Sequence, residues 1–122
     1  MKWSETQQQN CPVAQTLAMI GDRWTLLIIR DAFLGLSRFE QFQKSLGITR
    51  HVLAERLKRL VEEGILEKQS YIDRQQRFEY VLTAKGRDLK PILMAIVEWG
   101  VQWTDAEEPK FYLKKEILEE LK

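Results

Sequence analysis

The sequence predicts a mainly helical α+β fold, a winged helix-turn-helix with a two-stranded wing and flanking N- and C-terminal dimerisation helices. Three observations predict it. Ser37 to Gly64, SRFEQFQKSLGITRHVLAERLKRLVEEG, holds two apolar stripes of helical period with a glycine turn between them. The next stretch, ILEKQSY and then RFEYVL, alternates at the two-residue period of a strand. On either side of this unit the spacing returns to that of amphipathic helices.

Met1 to Asn10 is polar, Gln-rich and without periodicity, which predicts a mobile arm. Cys11-Pro12 opens the first helix, since proline at the first helical position loses no needed N–H; Val13, Leu17 and Ile20 then repeat on one face until Gly21. Asp22 is placed to cap RWTLLIIRDAFL, which is apolar nearly all round and predicts the buried central helix, ended by Gly35. Ser37 is the expected cap of the third helix, whose Phe39, Phe42 and Leu46 share a face. Gly47 supplies a residue able to leave that helix at positive φ, and Ile48 re-enters the core. Thr49 caps the fourth helix, with Leu53, Leu57, Leu60 and Val61 as its inner stripe and Gly64 as its end. Its opposite face carries His51, Glu55, Lys58 and Arg59, with Thr49, Arg50 and Val52 near the first turn. Such a helix suits a DNA major groove.

The hairpin that follows predicts a wing, with IDRQQ as its connection. Thr83 is the next cap, and helical spacing runs from Ala84 to Trp103 through Leu89, Ile92, Leu93, Ile96, Val97 and Val101. Pro91 and Gly86 predict a kink there, or a break that leaves the part after Pro91 as the long amphipathic segment. Its apolar stripe, ending in Trp99 and Trp103, exceeds what a small domain needs; it serves either core packing or a second subunit. FYLKKEILEELK, after Pro109, reads as a short amphipathic helix or a fraying tail. The chain thus divides into an arm (1–10), one domain (11–103) and a C-terminal helix or tail (104–122).

Composition bounds the function. At 44% apolar and 30% charged, the 122 residues suit one globular domain. No apolar run is as long as a membrane span and no signal segment opens the chain, so the expected location is the cytoplasm. One cysteine and one histidine cannot build an N/S zinc site unaided, and no cofactor motif is present. An enzyme fails on inventory: His51 is the sole imidazole and falls on the recognition face, with no phosphate loop or nucleophile motif beside it. The net charge of +1 is unevenly placed, with nine cations against six carboxylates from Ser37 to Phe78 and an acidic excess after Thr104.

The first turns of a recognition helix approach base edges, which makes Thr49, Arg50, His51, Glu55 and Arg59 the candidate base-reading or backbone-contacting residues. Ser37 and Arg38 begin the preceding helix, where free N–H groups can meet a phosphate. Arg74, Gln75, Gln76 and Arg77 in the wing have the reach for phosphates or a minor-groove edge. Arg56, at the flank of the apolar stripe, is placed either for a phosphate or for an ion pair with Glu63 or Asp31. Cys11 is the one residue with redox chemistry to offer. At a helix N-terminus the dipole would lower its thiol pKa, and the alternative is a small packing residue. Arg23 is a possible cationic neighbour.

CPV at Cys11 to Val13, IGDRWTLLIIRD at Ile20 to Asp31, SRFEQF at Ser37 to Phe42, ITRHVLAERLKRLVEEGIL at Ile48 to Leu66, YVLTAKGRDL at Tyr80 to Leu89 and Trp99-Gly100 together resemble the HxlR-type winged helix-turn-helix transcriptional regulators. The resemblance covers everything between the polar arm and the last helix. It implies a dimeric repressor or activator that binds double-stranded DNA at a pseudo-palindromic operator, and in some members a cysteine at the position of Cys11 that senses oxidants or electrophiles. Where family members often have proline and lysine after the recognition-helix cap, this chain has Arg50 and His51, so base preference does not transfer. The reading from another class is a winged helix used for protein contacts without DNA binding.

Overall fold

Residues 10–71 and 77–107 are described by the computed structural model. Helices α1 (Pro12–Ile20), α2 (Thr25–Phe33), α3 (Phe39–Leu46) and α4 (Arg50–Glu62) are followed by strands β1 (Leu66–Tyr71) and β2 (Arg77–Leu82) and by helices α5 (Ala84–Arg87) and α6 (Lys90–Trp103). The architecture is the winged helix-turn-helix that the sequence predicts. Ile28, Ile29 and Phe33 of α2 pack with Phe42 of α3, Leu53, Leu57 and Leu60 of α4, and Ile65, Leu66 and Leu82 at the root of the hairpin. Burying each of these side chains contributes about 1.5–3 kcal/mol, which makes this cluster the main source of stability.

Asp22 does cap the central helix, but from three residues before its first turn. Its carboxylate accepts the N–H groups of Trp24 and Thr25, each at 2.9 Å, and the Thr25 hydroxyl. Ser37 is not the cap of α3. Arg38 holds the cap position, and the side-chain oxygen of Gln41, the third residue of the helix, reaches back and accepts both the Ser37 and Arg38 N–H groups at 3.0 Å. Gly47 takes φ +63° between α3 and α4, and Gly64 takes φ +74° after α4, as those turns require.

The two strands pair antiparallel, Leu66 opposite Leu82 through Tyr71 opposite Arg77, and the Tyr80 N–H donates to the Ser37 carbonyl at 2.7 Å, which ties the wing to the start of α3. The wing connection lies outside the described residues, as do the N-terminal arm up to residue 9 and the chain after residue 107. Of the kink or break expected between Ala84 and Trp103, the structure has the break, and the stretch is two helices. Thr83 caps α5, accepting the Gly86 N–H at 3.0 Å, and a Cβ on Gly86 would run into the Ile65 carbonyl. Pro91 then has no N–H to offer the Arg87 carbonyl, so the chain restarts as α6 with proline in the first turn, where it is tolerated.

Candidate nucleic-acid interface

Thr49 is extended at ψ 152°, and its hydroxyl accepts the Val52 N–H at 3.4 Å, which starts α4 at Arg50. With Leu53, Leu57 and Leu60 buried, the 3.6-residue period turns His51, Glu55 and Lys58 to the opposite side, and all three are exposed together with Thr49 and Arg50. The Arg50 guanidinium does not extend freely: it lies 4.8 Å from the centroid of the Phe39 ring. Glu55 is largely exposed, with its carboxylate 3.1 Å from Arg56 Nη1. A surface pair of that kind is worth about 0–1 kcal/mol, so Glu55 can exchange it for another donor.

Beside this face, Arg38, Phe39, Glu40, Arg50, Arg77, Phe78 and Tyr80 line a cleft of about 570 Å³. Three arginines from the starts of α3, α4 and β2 thus share one opening with three aromatic rings. Arg38 is 3.8 Å from Glu79, a weak ion pair. The wing contributes a further cation that the sequence reading passed over. Lys68 stands opposite Tyr80, with its ammonium 4.4 Å from the Phe78 ring centroid and 5.9 Å from that of Tyr80. The alternation of strand side chains is the signal that finds it, since Lys68, Phe78 and Tyr80 fall on one face.

Several sequence-stated roles change. The Ser37 and Arg38 N–H groups are engaged by Gln41 rather than offered to an anion. Arg59 turns away from the exposed face to α1, where its guanidinium donates to the Ala18 carbonyl. Arg56 forms intramolecular ion pairs, but with Asp22 (3.3 Å) and Glu55; Asp31 is paired instead with Arg30 at 3.0 Å. Burial works to raise the Asp22 carboxyl, but the Thr25 hydroxyl, the Trp24 and Thr25 N–H groups and the Arg56 charge outweigh it and hold the pKa below its ordinary value. Arg74, Gln75 and Gln76 lie outside the described residues, whereas Arg77 is the first residue of β2. Cys11 precedes α1, half-buried, and the Arg23 guanidinium lies over the Trp24 ring at 5.1 Å.

Among the described residues no helix is long and apolar enough to cross a membrane, and no cluster of His, Cys, Asp or Glu is placed to hold a metal ion. The family model of the HxlR-like helix-turn-helix matches residues 19–108. The HTH-type transcriptional regulator Rv3095 of Mycobacterium tuberculosis is 43% identical over 91 residues, which is 75% of this chain but 58% of that protein. The chain therefore spans somewhat over half the length of this relative. Among solved structures, PA1607 matches with a TM-score of 0.79 and 46% identity over 87% of this chain and 74% of its own. The redox regulator HypR in its reduced form matches with a TM-score of 0.71 and 33% identity, over 75% of this chain and 92% of HypR. With its helix-turn-helix, its wing and these matches in agreement, the chain belongs to the HxlR-like helix-turn-helix family.

Proposed function

We propose that the protein is a sequence-specific regulator of transcription that binds duplex DNA as a homodimer on a pseudo-palindromic operator. The observation that carries this reading is the exposed outer face of α4, with Arg50, His51, Glu55 and Lys58 outward and the arginine-lined cleft alongside. Arginine and glutamate there have the donors and acceptors to read guanine and cytosine edges, while Arg38, Arg77 and Lys68 are placed to meet phosphates. Support for the homodimer comes from α6. Ile92, Ile96, Trp99 and Trp103 are all exposed and fall at the alternating four- and three-residue steps of a helix-pairing seam. Val13 and Leu17, one turn apart on α1, are exposed as well. Cys11 heads that same helix, and HypR, a similar protein, is a redox regulator; both support a role for Cys11 as an oxidant sensor.

A footprint on the DNA flanking the protein's own gene tests the reading. The expected result is a protected dyad whose half-sites lie about one helical turn apart, roughly 34–36 Å. Affinity should fall as salt rises, because bound phosphates release counterions. A protein with no salt-dependent affinity for any duplex would instead be a winged-helix module for protein contacts. For Cys11, diamide should abolish operator binding by the wild type and leave Cys11→Ser unaffected; equal loss in both would return Cys11 to a packing role.

A further inference from the structure

The turn between α1 and α2 is where three helices meet, and two arginines of α4 reach into it. The last carbonyls of α1 have no partners within the helix, and they carry the negative end of its dipole. Gly21 N–H satisfies the Leu17 carbonyl at 2.8 Å, and the neighbouring Ala18 carbonyl accepts from Arg59. One turn earlier along α4, Arg56 Nε donates to Asp22 Oδ1 at 3.3 Å, and that carboxylate already holds the first turn of α2. Arg56 and Asp22 are 21% and 15% exposed, so their pair is shielded from solvent screening far better than a surface pair. The positive charges thus meet the negative end of one helix and the acidic cap of the next, on the side of α4 that faces neither core nor solvent.

Apolar packing does this job only in part: Ile20 at the end of α1 joins the core cluster that holds Leu53, Leu57 and Leu60 of α4. Between α1 and the far end of α4 lies an open cavity of about 340 Å³, lined by Gln15, Ala18, Met19 and Glu63. The Arg59 bond is made beside that gap, to a backbone atom of one of its lining residues. We infer that Arg56 and Arg59 are positioning residues, which fix the angle of the recognition helix against α1. On the homodimer reading, α1 carries part of the subunit interface, so the same two arginines set the separation of the two recognition helices and hence the half-site spacing the dimer accepts.

Spin labels measure the angle directly. Gln15→Cys and Lys58→Cys in a Cys11→Ser full-length chain place one label on α1 and one on α4, and dilution with excess unlabelled chains leaves only the distance within one chain. The parent should give a single narrow distribution. In the Arg56→Ala/Arg59→Ala background it should broaden about twofold as the helix pair loosens, and Arg56→Lys/Arg59→Lys, which keeps the charges and donors, should restore most of the narrowness. An unchanged distribution in the alanine background, with a cooperative melt retained, overturns the inference. If that double variant does not fold, Arg59→Gln alone serves, since its shorter side chain cannot span to Ala18; partial broadening supports the inference and none overturns it. A single label at His51→Cys reads the distance between subunits. Its absence would count against the homodimer while leaving the result within the chain intact.

Discussion

Helix α2 and helix α6 are both strongly apolar, yet they meet opposite fates. Six of the nine residues of α2 are buried, among them Ile28, Ile29 and Phe33. Of the fourteen residues of α6 only Leu93 is, and Trp99 and Trp103 stand 65% and 68% exposed. The single chain completes its core with α2, α3, α4 and the hairpin root, and it takes from α6 only the inner edge of Leu93, Met94 and Val97. Apolar content in a sequence therefore marks surface that will be covered without saying by which molecule. Helix α2 is covered by the described residues of its own chain, whereas the outer stripe of α6 is exposed; on the homodimer proposal a second copy covers it.

The sharpest way to break that contrast is to truncate one large side chain in each helix. Phe33→Ala should cost about 3–5 kcal/mol, a large fraction of the roughly 5–15 kcal/mol available to a domain, and denaturant melts should show it at every protein concentration. Trp99→Ala should leave the monomer's own stability nearly unchanged. Its effect should appear in self-association instead, as a loss of about 2 kcal/mol, roughly thirtyfold in the dimer dissociation constant by sedimentation. Equal loss of monomer stability in both variants would mean that the α6 stripe packs within its own chain.

Much of the fold was legible because the deciding interactions are local. The glycines at positive φ, the Thr49 and Thr83 caps and the period change at Ile65 each leave a mark within a few residues. Ser37 differs because α3 starts one residue later than its sequence suggests, with Arg38 at the cap and Gln41 reaching back to both N–H groups, which is a matter of rotamer rather than spacing. The site was less legible for the same reason at longer range. Arg59 sits on the outer side of α4 and reads as a DNA contact, and Arg56 at its flank reads either as a phosphate contact or as an ion pair with Glu63 or Asp31. Their partners Asp22 and Ala18 are 34 and 41 residues away, and only the docking of α1 and α2 brings them within reach.

The contrast between covered and uncovered surface extends to α4 itself. Arg50→Ala, His51→Ala or Glu55→Ala, on its outer face, should change preference among operator variants by about 1–3 kcal/mol while leaving the melt unaltered. Arg77→Ala, at the wing, should weaken every duplex alike and flatten the salt dependence by about one unit. Competition binding on a small panel of operator variants at two salt concentrations separates these outcomes. Uniform losses from both groups would show that the outer face of α4 anchors the protein without reading bases.

The smallest expected effect lies at Asp22, between the covered core and α4, and its pH dependence has a definite sign. Its carboxyl is held below the ordinary value in the folded chain. A depressed folded pKa means that its stabilising contribution is fully present above the unfolded value, near 3.9, and is lost as pH falls through the folded value. Asp22→Asn keeps an oxygen able to accept the Trp24 and Thr25 N–H groups but removes the charge that faces Arg56. At neutral pH it should therefore cost on the order of 1 kcal/mol, the scale of a charge-assisted hydrogen bond weakened rather than removed. Measured from pH 7 down to about 5, the stability difference between wild type and Asp22→Asn should stay constant; below about 4 it should shrink, because protonation then does to the wild type what the substitution has already done. A difference that grew in acid would mean that the folded state favours the protonated carboxyl, and that burial prevails over the Thr25 and Arg56 partners at this turn.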